Sequence, residues 1–224
     1  MKKFLSFTIA LSLSALLAAC GAEETSDESA DPEGTVTYES EFGPVEVPVN
    51  PERIVALAYA PNLHSLDIEM AGVDQWTKGS PLFEEDLADT AEVTEAEPES
   101  ILAEDPDLII AGANMENLEE LEKIAPTVTY TWGKLNYLEQ QIEIGKLVGK
   151  EDEAREWAED FEKRAADIGS QIKEKHGEDT TVSVIETDGK GFYLFGEAWG
   201  RGTEILYQAM DLKMTGNVEE AVSA

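Results

Sequence analysis

The chain holds 224 residues, with 48 Asp or Glu against 16 Lys or Arg, for a formal charge of −32 at pH 7. That balance excludes a nucleic-acid footprint, which needs basic residues to displace counterions from phosphates, and it argues equally against a basic membrane-surface helix. Charged residues make up 29% and hydrophobic ones 42%, with four Trp, six Tyr and seven Phe to build a core, a globular proportion that excludes wholesale disorder.

Residues 1–19 read as an export signal, with Lys2 and Lys3 as a positive start, an apolar run over 4–17, and the small pair Ala18 and Ala19. The run is short for a membrane span and no positive stop-transfer cluster follows it. The one cysteine, Cys20, comes next in Leu17-Ala18-Ala19-Cys20. This resembles a bacterial lipobox, in which the Cys becomes the diacylated N-terminus; the alternative is a secreted protein with a chance cysteine at its cleavage site. A free, exposed thiol otherwise has no evident use outside the cell. Lipidation would leave no disulfide and no thiolate metal ligand. Residues 20–35, rich in Glu, Asp, Ser and Thr, read as a lipidated, disordered tether. Removing the leader takes away two lysines and no acid, which leaves 14 basic residues against 48 acidic ones, a charge of −34.

A first α/β lobe is expected over 36–136. Residues 36–40 and 45–47 alternate apolar with polar around Phe42-Gly43-Pro44, the pattern of a hairpin. Residues 53–58 (RIVALA) read as a buried strand, 63–71 as a helix stopped by Gly72, 107–112 (DLIIAG) as a strand, 117–124 (NLEELEKI) as a helix ended by Pro126, and 127–131 as a third strand. Strands alternating with helices imply a parallel layer whose strand C-termini carry ligand-facing loops, here 59–62, 113–114 and 130–134.

Residues 137–178 form a helical segment, broken near Gly149. In its second helix Ala154, Trp157, Ala158, Phe161, Ala165, Ile168 and Ile172 repeat at three- and four-residue steps, one apolar stripe on a charged rod. From 152 to 175 that helix would run about 36 Å, enough to reach from one lobe to another. After Gly177 the period returns to two. Residues 181–186 (TVSVIE) and 191–196 (GFYLFG) read as strands around Asp188-Gly189-Lys190, and 203–212 as a helix. Residues 179–224 are thus expected to be the start of a C-terminal α/β lobe, an incomplete one near the size limit for an independent core.

Four segments carry a resemblance to a known family: Cys20 in its lipobox, VPVNPERIVAL at 47–57, EDPDLII at 104–110 and IGKLVGK at 144–150. Together they resemble siderophore-binding lipoproteins of bacterial ABC iron importers, and GFYLFGEAWGRGTEILY at 191–207 is most similar to the iron(III)-hydroxamate-binding members. The resemblance implies a two-lobed α/β periplasmic-binding-protein fold, with a single long helix joining the lobes and the ligand between them. It implies no enzymatic activity and no cofactor, iron being bound only as a ferric siderophore complex. Its implied partners are a ferric hydroxamate siderophore, an ABC transporter permease and, through the lipid anchor, the outer face of the cell membrane, with the protein a monomer. Binding of another ferric siderophore, a catecholate or carboxylate, and a non-transport adhesin lipoprotein are the alternatives.

The residues agree with such a role. Tyr193, Trp199 and Arg201 lie at a strand end and in a glycine-punctuated loop, where Arg201 can present a planar fork of donors to hydroxamate oxygens and the rings supply apolar walls. Taken without the resemblance, the two aromatics read equally well as core and Arg201 as a solvated cap. On the first lobe Tyr130, Trp132 and Lys78 are candidates from their loop positions. Glu99 matches the position where the family often presents an acid to the permease. Direct metal binding has little to draw on, since only His64 and His176 accompany Cys20. His176 reads as a helix cap and His64 as a first-turn helix residue near the cleft. The acidic runs at 84–86 and 92–99 lack EF-hand spacing. No GxSxG elbow, HExxH helix, P-loop or GxGxxG turn is present.

Overall fold

The computed structural model describes residues 34–222, so Cys20, the leader and nearly all of the tether lie outside the described residues. The described residues open on a hairpin of β1 (Thr35–Ser40) and β2 (Gly43–Pro48), whose alternation buries Tyr38 and Val47 on the inward face. There follow β3 (Ile54–Ala56), α1 (Ala60–His64), β4 (Met70–Val73), α2 (Gln75–Lys78), β5 (Ala91–Glu92) and α3 (Pro98–Leu102). Then come β6 (Leu108–Gly112), α4 (Leu118–Leu121), β7 (Thr127–Tyr130), α5 (Tyr137–Leu147) and α6 (Glu151–His176).

Five of these strands form one parallel sheet in the order β5-β4-β3-β6-β7. Both of its faces are covered, which is why its inner strands read as unbroken apolar runs. Ile54, Ala56, Leu108, Ile110, Val128 and Tyr130 turn toward α1, α5 and the hairpin, while Val55, Leu57, Ile109 and Ala111 turn toward Ile101 of α3 and Leu121 of α4. Each large aliphatic side chain so buried contributes about 1.5–3 kcal/mol. The chain runs outward from β3 to β5 and returns to lay down β6 and β7 on the other side. Strand order therefore reverses between β3 and β6, and a crevice opens beyond the C-terminal ends of the strands there.

The expected helix over 63–71 is corrected: α1 ends at His64, Asp67 takes a left-handed φ of 54°, and the chain then enters β4. Parallel pairing with β3 buries Met70, Gly72 and Val73, and a Cβ on Gly72 would lie 3.0 Å from the Val93 side chain. Backbone packed so closely suits a glycine within a strand.

The break near Gly149 forms as expected, with a specific geometry. Lys150 N–H donates to the Gly145 carbonyl at 2.7 Å and Gly149 N–H to that of Lys146 at 3.4 Å, with Gly149 at φ 72°. This is a Schellman stop, which needs a left-handed residue at that position. It folds α6 back on α5, where Ala154 packs directly over Gly145. At 26 residues α6 is about 39 Å long. Its buried line is Ala154, Ala158, Ala165 and Gly169; Trp157 and Phe161 are half-buried and stack on each other at 5.2 Å, and Ile168 is exposed.

The C-terminal unit comprises β8 (Thr181–Val182), β9 (Val184–Thr187), β10 (Phe192–Phe195), a π-helical turn (Ile205–Ala209), β11 (Lys213–Met214) and α7 (Gly216–Val222). The single strand expected over 181–186 is split at Ser183, so that β8 pairs parallel with β11 and β9 antiparallel with β10. The helix expected over 203–212 is a π turn over Ile205–Ala209, with Met210 N–H reaching the Ile205 carbonyl at 2.8 Å. Its widened path presses Met210 against α6 at Gly169, where a Cβ would fall 2.1 Å from the Met210 carbonyl oxygen.

Candidate functional site

A cavity of about 310 Å³ lies where the loops after β3 and β7 meet the N-terminal end of α5 and the segment around the π turn. Its first wall carries Tyr59, Asn62, Trp132, Tyr137 and Gln140; Ala198, Glu204 and Gln208 form the second. Two of the three loops expected to face a ligand are therefore at the cavity, and the third, at Ala113 and Asn114, borders an adjoining depression that shares Trp132.

The first wall is rigidly built. Asn136 caps α5 by accepting from Leu138 N–H at 3.0 Å and Glu139 N–H at 2.9 Å, and the Glu139 carboxylate in turn accepts from Asn136 N–H at 3.0 Å. Tyr137 and Gln140, one turn apart, thereby face the cavity. Gln141 beside them is fully satisfied: it accepts from Asn62 at 2.8 Å and donates to the Asn62 carbonyl at 3.2 Å and to Ser65 at 3.0 Å, locking α1 to α5. Gln140 is its opposite, 7% exposed with an Nε2 that has no partner among the described residues. Buried amides are rarely left so.

Tyr130 is corrected from ligand contact to support. At 1% exposed, it sets its ring edge-on to Tyr59 at 5.5 Å and donates from its hydroxyl to Tyr38 at 3.0 Å, while Tyr38 donates to Glu143 at 2.6 Å. Burial first, and then the neighbouring tyrosine and carboxylates, push the Tyr130 hydroxyl well above the ordinary phenol range, so it stays protonated. Its period-two position in β7 turns it inward. Lys78 is also corrected. Its ammonium donates to the carbonyls of Leu87, Ala88 at 2.9 Å and Thr90 at 2.7 Å, which uses all three of its donors to tie residues 80–90 to α2. His64 closes α1 rather than opening it and lies 3.3 Å from Asp86 and edge-on to Phe83, outside the cavity lining. Trp132 lines the cavity and is 76% exposed.

On the C-terminal unit Tyr193, Trp199 and Arg201 are exposed and lie outside the cavity lining, although Ala198 beside Trp199 is part of it. Tyr193 donates to Asp188 at 3.0 Å. Arg201 reaches Glu186 through Nε at 2.5 Å and lies over the Phe195 ring at 5.6 Å. That contact holds the Glu186 carboxyl below its usual range. The backbone around it is unusual, with Gly200, Arg201 and Gly202 all left-handed at φ 81°, 57° and 78°. Five non-glycine residues among those described have positive φ; three are Asp, which tolerates that region, and the two bulky ones are Tyr59 and Arg201. Strain of this kind gathers at binding sites.

Residues missed from the sequence are Tyr137, Gln140, Glu204 and Gln208, with Glu41 beneath the first wall, where it accepts from Thr131 N–H at 3.2 Å and pairs with Lys134 at 3.3 Å. The N-x-x-E signal at Asn136 would have placed the start of α5 and with it the face bearing Tyr137 and Gln140. Glu99 is exposed in the first turn of α3. Among the described residues no three His, Cys, Asp or Glu side chains are grouped so as to hold a metal ion.

The sequence model of a family described as periplasmic binding protein matches residues 54–213. The iron(3+)-hydroxamate-binding protein FhuD of Bacillus subtilis (strain 168) is 36% identical over 231 residues, covering 98% of this chain and 71% of its own. Among solved structures, the FhuD protein of S. pseudintermedius superposes with a TM-score of 0.74 at 37% identity, covering 84% of this chain and 70% of that one. FhuD2 of Staphylococcus aureus, solved with bound ferrioxamine B, superposes at 0.71 with 36% identity, over 76% of this chain and 67% of its own.

Proposed function

This chain belongs to the periplasmic binding protein family, and from that premise we propose that it captures ferric hydroxamate siderophores outside the cell and hands them to an ABC permease. Members of this family bind solutes and are not enzymes. The observation that carries the reading is the make-up of the cavity wall, with the rings of Tyr59, Trp132 and Tyr137, the amides of Asn62, Gln140 and Gln208, and no basic side chain. A tris-catecholate ferric complex carries three negative charges and needs a basic cluster, whereas ferric trihydroxamates are neutral or cationic. A chain of net charge −32 around a wall without cations favours the second class. The names of the relatives point the same way.

Small-molecule sites span about 300–1,000 Å³. A ferric trihydroxamate overfills a cavity of about 310 Å³ and extends over its rim. There Trp199 and Tyr193 supply apolar surface, and Arg201, with its Nη groups free of Glu186, donates to hydroxamate oxygens. Iron enters wrapped by its chelator. The experiment that tests the reading is quenching of tryptophan fluorescence in the soluble domain, expected with ferrioxamine- and ferrichrome-type chelates at lower concentrations than with ferric enterobactin. A reversed order would overturn the hydroxamate assignment.

Anchoring through a lipidated Cys20 and action as a monomer belong to the same reading. So does docking through Glu99, which α3 presents to solvent for a basic pocket on the permease. Glu99→Ala is expected to lower cellular uptake of the ferric chelate without changing its affinity for the isolated domain. Unchanged uptake would return Glu99 to ordinary solvated surface.

A further inference from the structure

Glu204 is the one charged side chain lining the cavity, and among the described residues it has neither an ion pair nor a side-chain hydrogen bond. It is half-buried just ahead of the π turn and lines the same cavity as Gln140 and Tyr137. None of the basic side chains next to the lining segments pairs with Glu204: Lys134 pairs with Glu41 at 3.3 Å and Lys146 with Glu143 at 3.4 Å, and Arg201 sets its Nε on Glu186 at 2.5 Å. The cavity therefore carries one uncompensated negative charge. The same lining includes Gln140, whose buried amide nitrogen has no partner among the described residues. An unpaired carboxylate and an unpaired donor in the lining of one cavity suit a ligand that offers both a cation and an oxygen acceptor.

We propose that Glu204 gives this cleft a charge preference within its ligand class. Ferric hydroxamates bearing a protonated amine are favoured over neutral ones, with the ammonium group placed against Glu204 and an amide or hydroxamate oxygen against Gln140. The inference rests on the hydroxamate reading above and adds to it the sign of the ligand. A carboxylate in a partly enclosed, aromatic-lined pocket is screened less than one on the surface, so its pairing with an ammonium group discriminates where a surface pair would not.

The test compares ferrioxamine B, whose tail ends in an ammonium group, with its N-acetylated derivative, in which a neutral acetamide replaces that charge. Dissociation constants are measured by tryptophan quenching for the native domain and for Glu204→Gln. The native domain should bind the cationic chelate about tenfold more tightly, in keeping with a hydrogen bond to a charged group, and Glu204→Gln should bring the ratio of the two affinities to about one. Equal affinities in the native domain would overturn the charge preference and leave the hydroxamate reading standing. So would a ratio that survives the substitution. Binding of neither chelate by the native domain would overturn both.

Discussion

Gly145→Ala should lower the thermal unfolding midpoint by about 4–8 °C, although alanine is the better helix former. The two effects oppose each other. Replacing a mid-helix glycine by alanine gains about 1 kcal/mol of propensity. Against this, the new Cβ would stand 2.3 Å from the Ala154 Cβ and 2.7 Å from the Lys150 carbonyl oxygen, both fixed, since Ala154 is fully buried and Lys150 closes the turn between the helices. Overpacking of this kind costs about 1–3 kcal/mol, and contact with backbone rather than a flexible side-chain end puts the cost at the upper end. Adding Ala154→Gly removes one of the two clashes and should recover part of the loss. Gly191→Ala, with nothing within 4 Å of the added atom, should leave the midpoint near its native value. A midpoint that stays or rises in Gly145→Ala would mean that α5 and α6 do not cross this closely. Function would feel the shift as well, because Phe161 of α6 packs edge-on against Tyr137 of the cavity wall at 5.7 Å.

Arg201→Gly separates binding from stability more sharply than an alanine substitution does. Glycine takes up the left-handed φ of 57° without strain, and the lost pair with Glu186 is exposed on both sides, a contact that adds little to folding. The unfolding midpoint should therefore stay level or rise. Affinity for a ferric hydroxamate should nevertheless fall by about tenfold or more, as the donors to the chelate's oxygens are lost. Arg201→Lys keeps the charge but not the planar fork, and should recover only part of the affinity. If both variants bind as the native domain does, Arg201 is a strained surface residue with no part in the site.

The contrast between Tyr130 and Trp132 shows where a sequence is informative. Strands β3, β6 and β7 are legible because a parallel strand buried on both faces must be apolar throughout, and the break at Gly149 because a Schellman stop needs its left-handed residue. The loops after β3 and β7 follow from the strands. Which residue of a loop faces the ligand does not follow, since Tyr130 and Trp132 differ by two positions and one is the last residue of β7 while the other is past its end. The misread stretch at 63–71 had apolar spacing that fits a helix, but pairing with β3 outweighed it. Lys78 could not be excluded from local sequence, because the carbonyls that hold it lie 9 to 12 residues away. Nor could the π turn, whose widened path depends on Gly169 of another element. Glu204 and Gln140 were hidden for a different reason: in a chain with 48 acids, a single carboxylate gains meaning only from what surrounds it.

That the cleft holds an intact ferric hydroxamate is open to native mass spectrometry of the purified soluble domain with a mixed panel of ferric siderophores. The retained complex should be heavier by one ferric trihydroxamate, with iron and chelator leaving together. Retention of a ferric tris-catecholate alone, of iron without chelator, or of no chelate at all would contradict it.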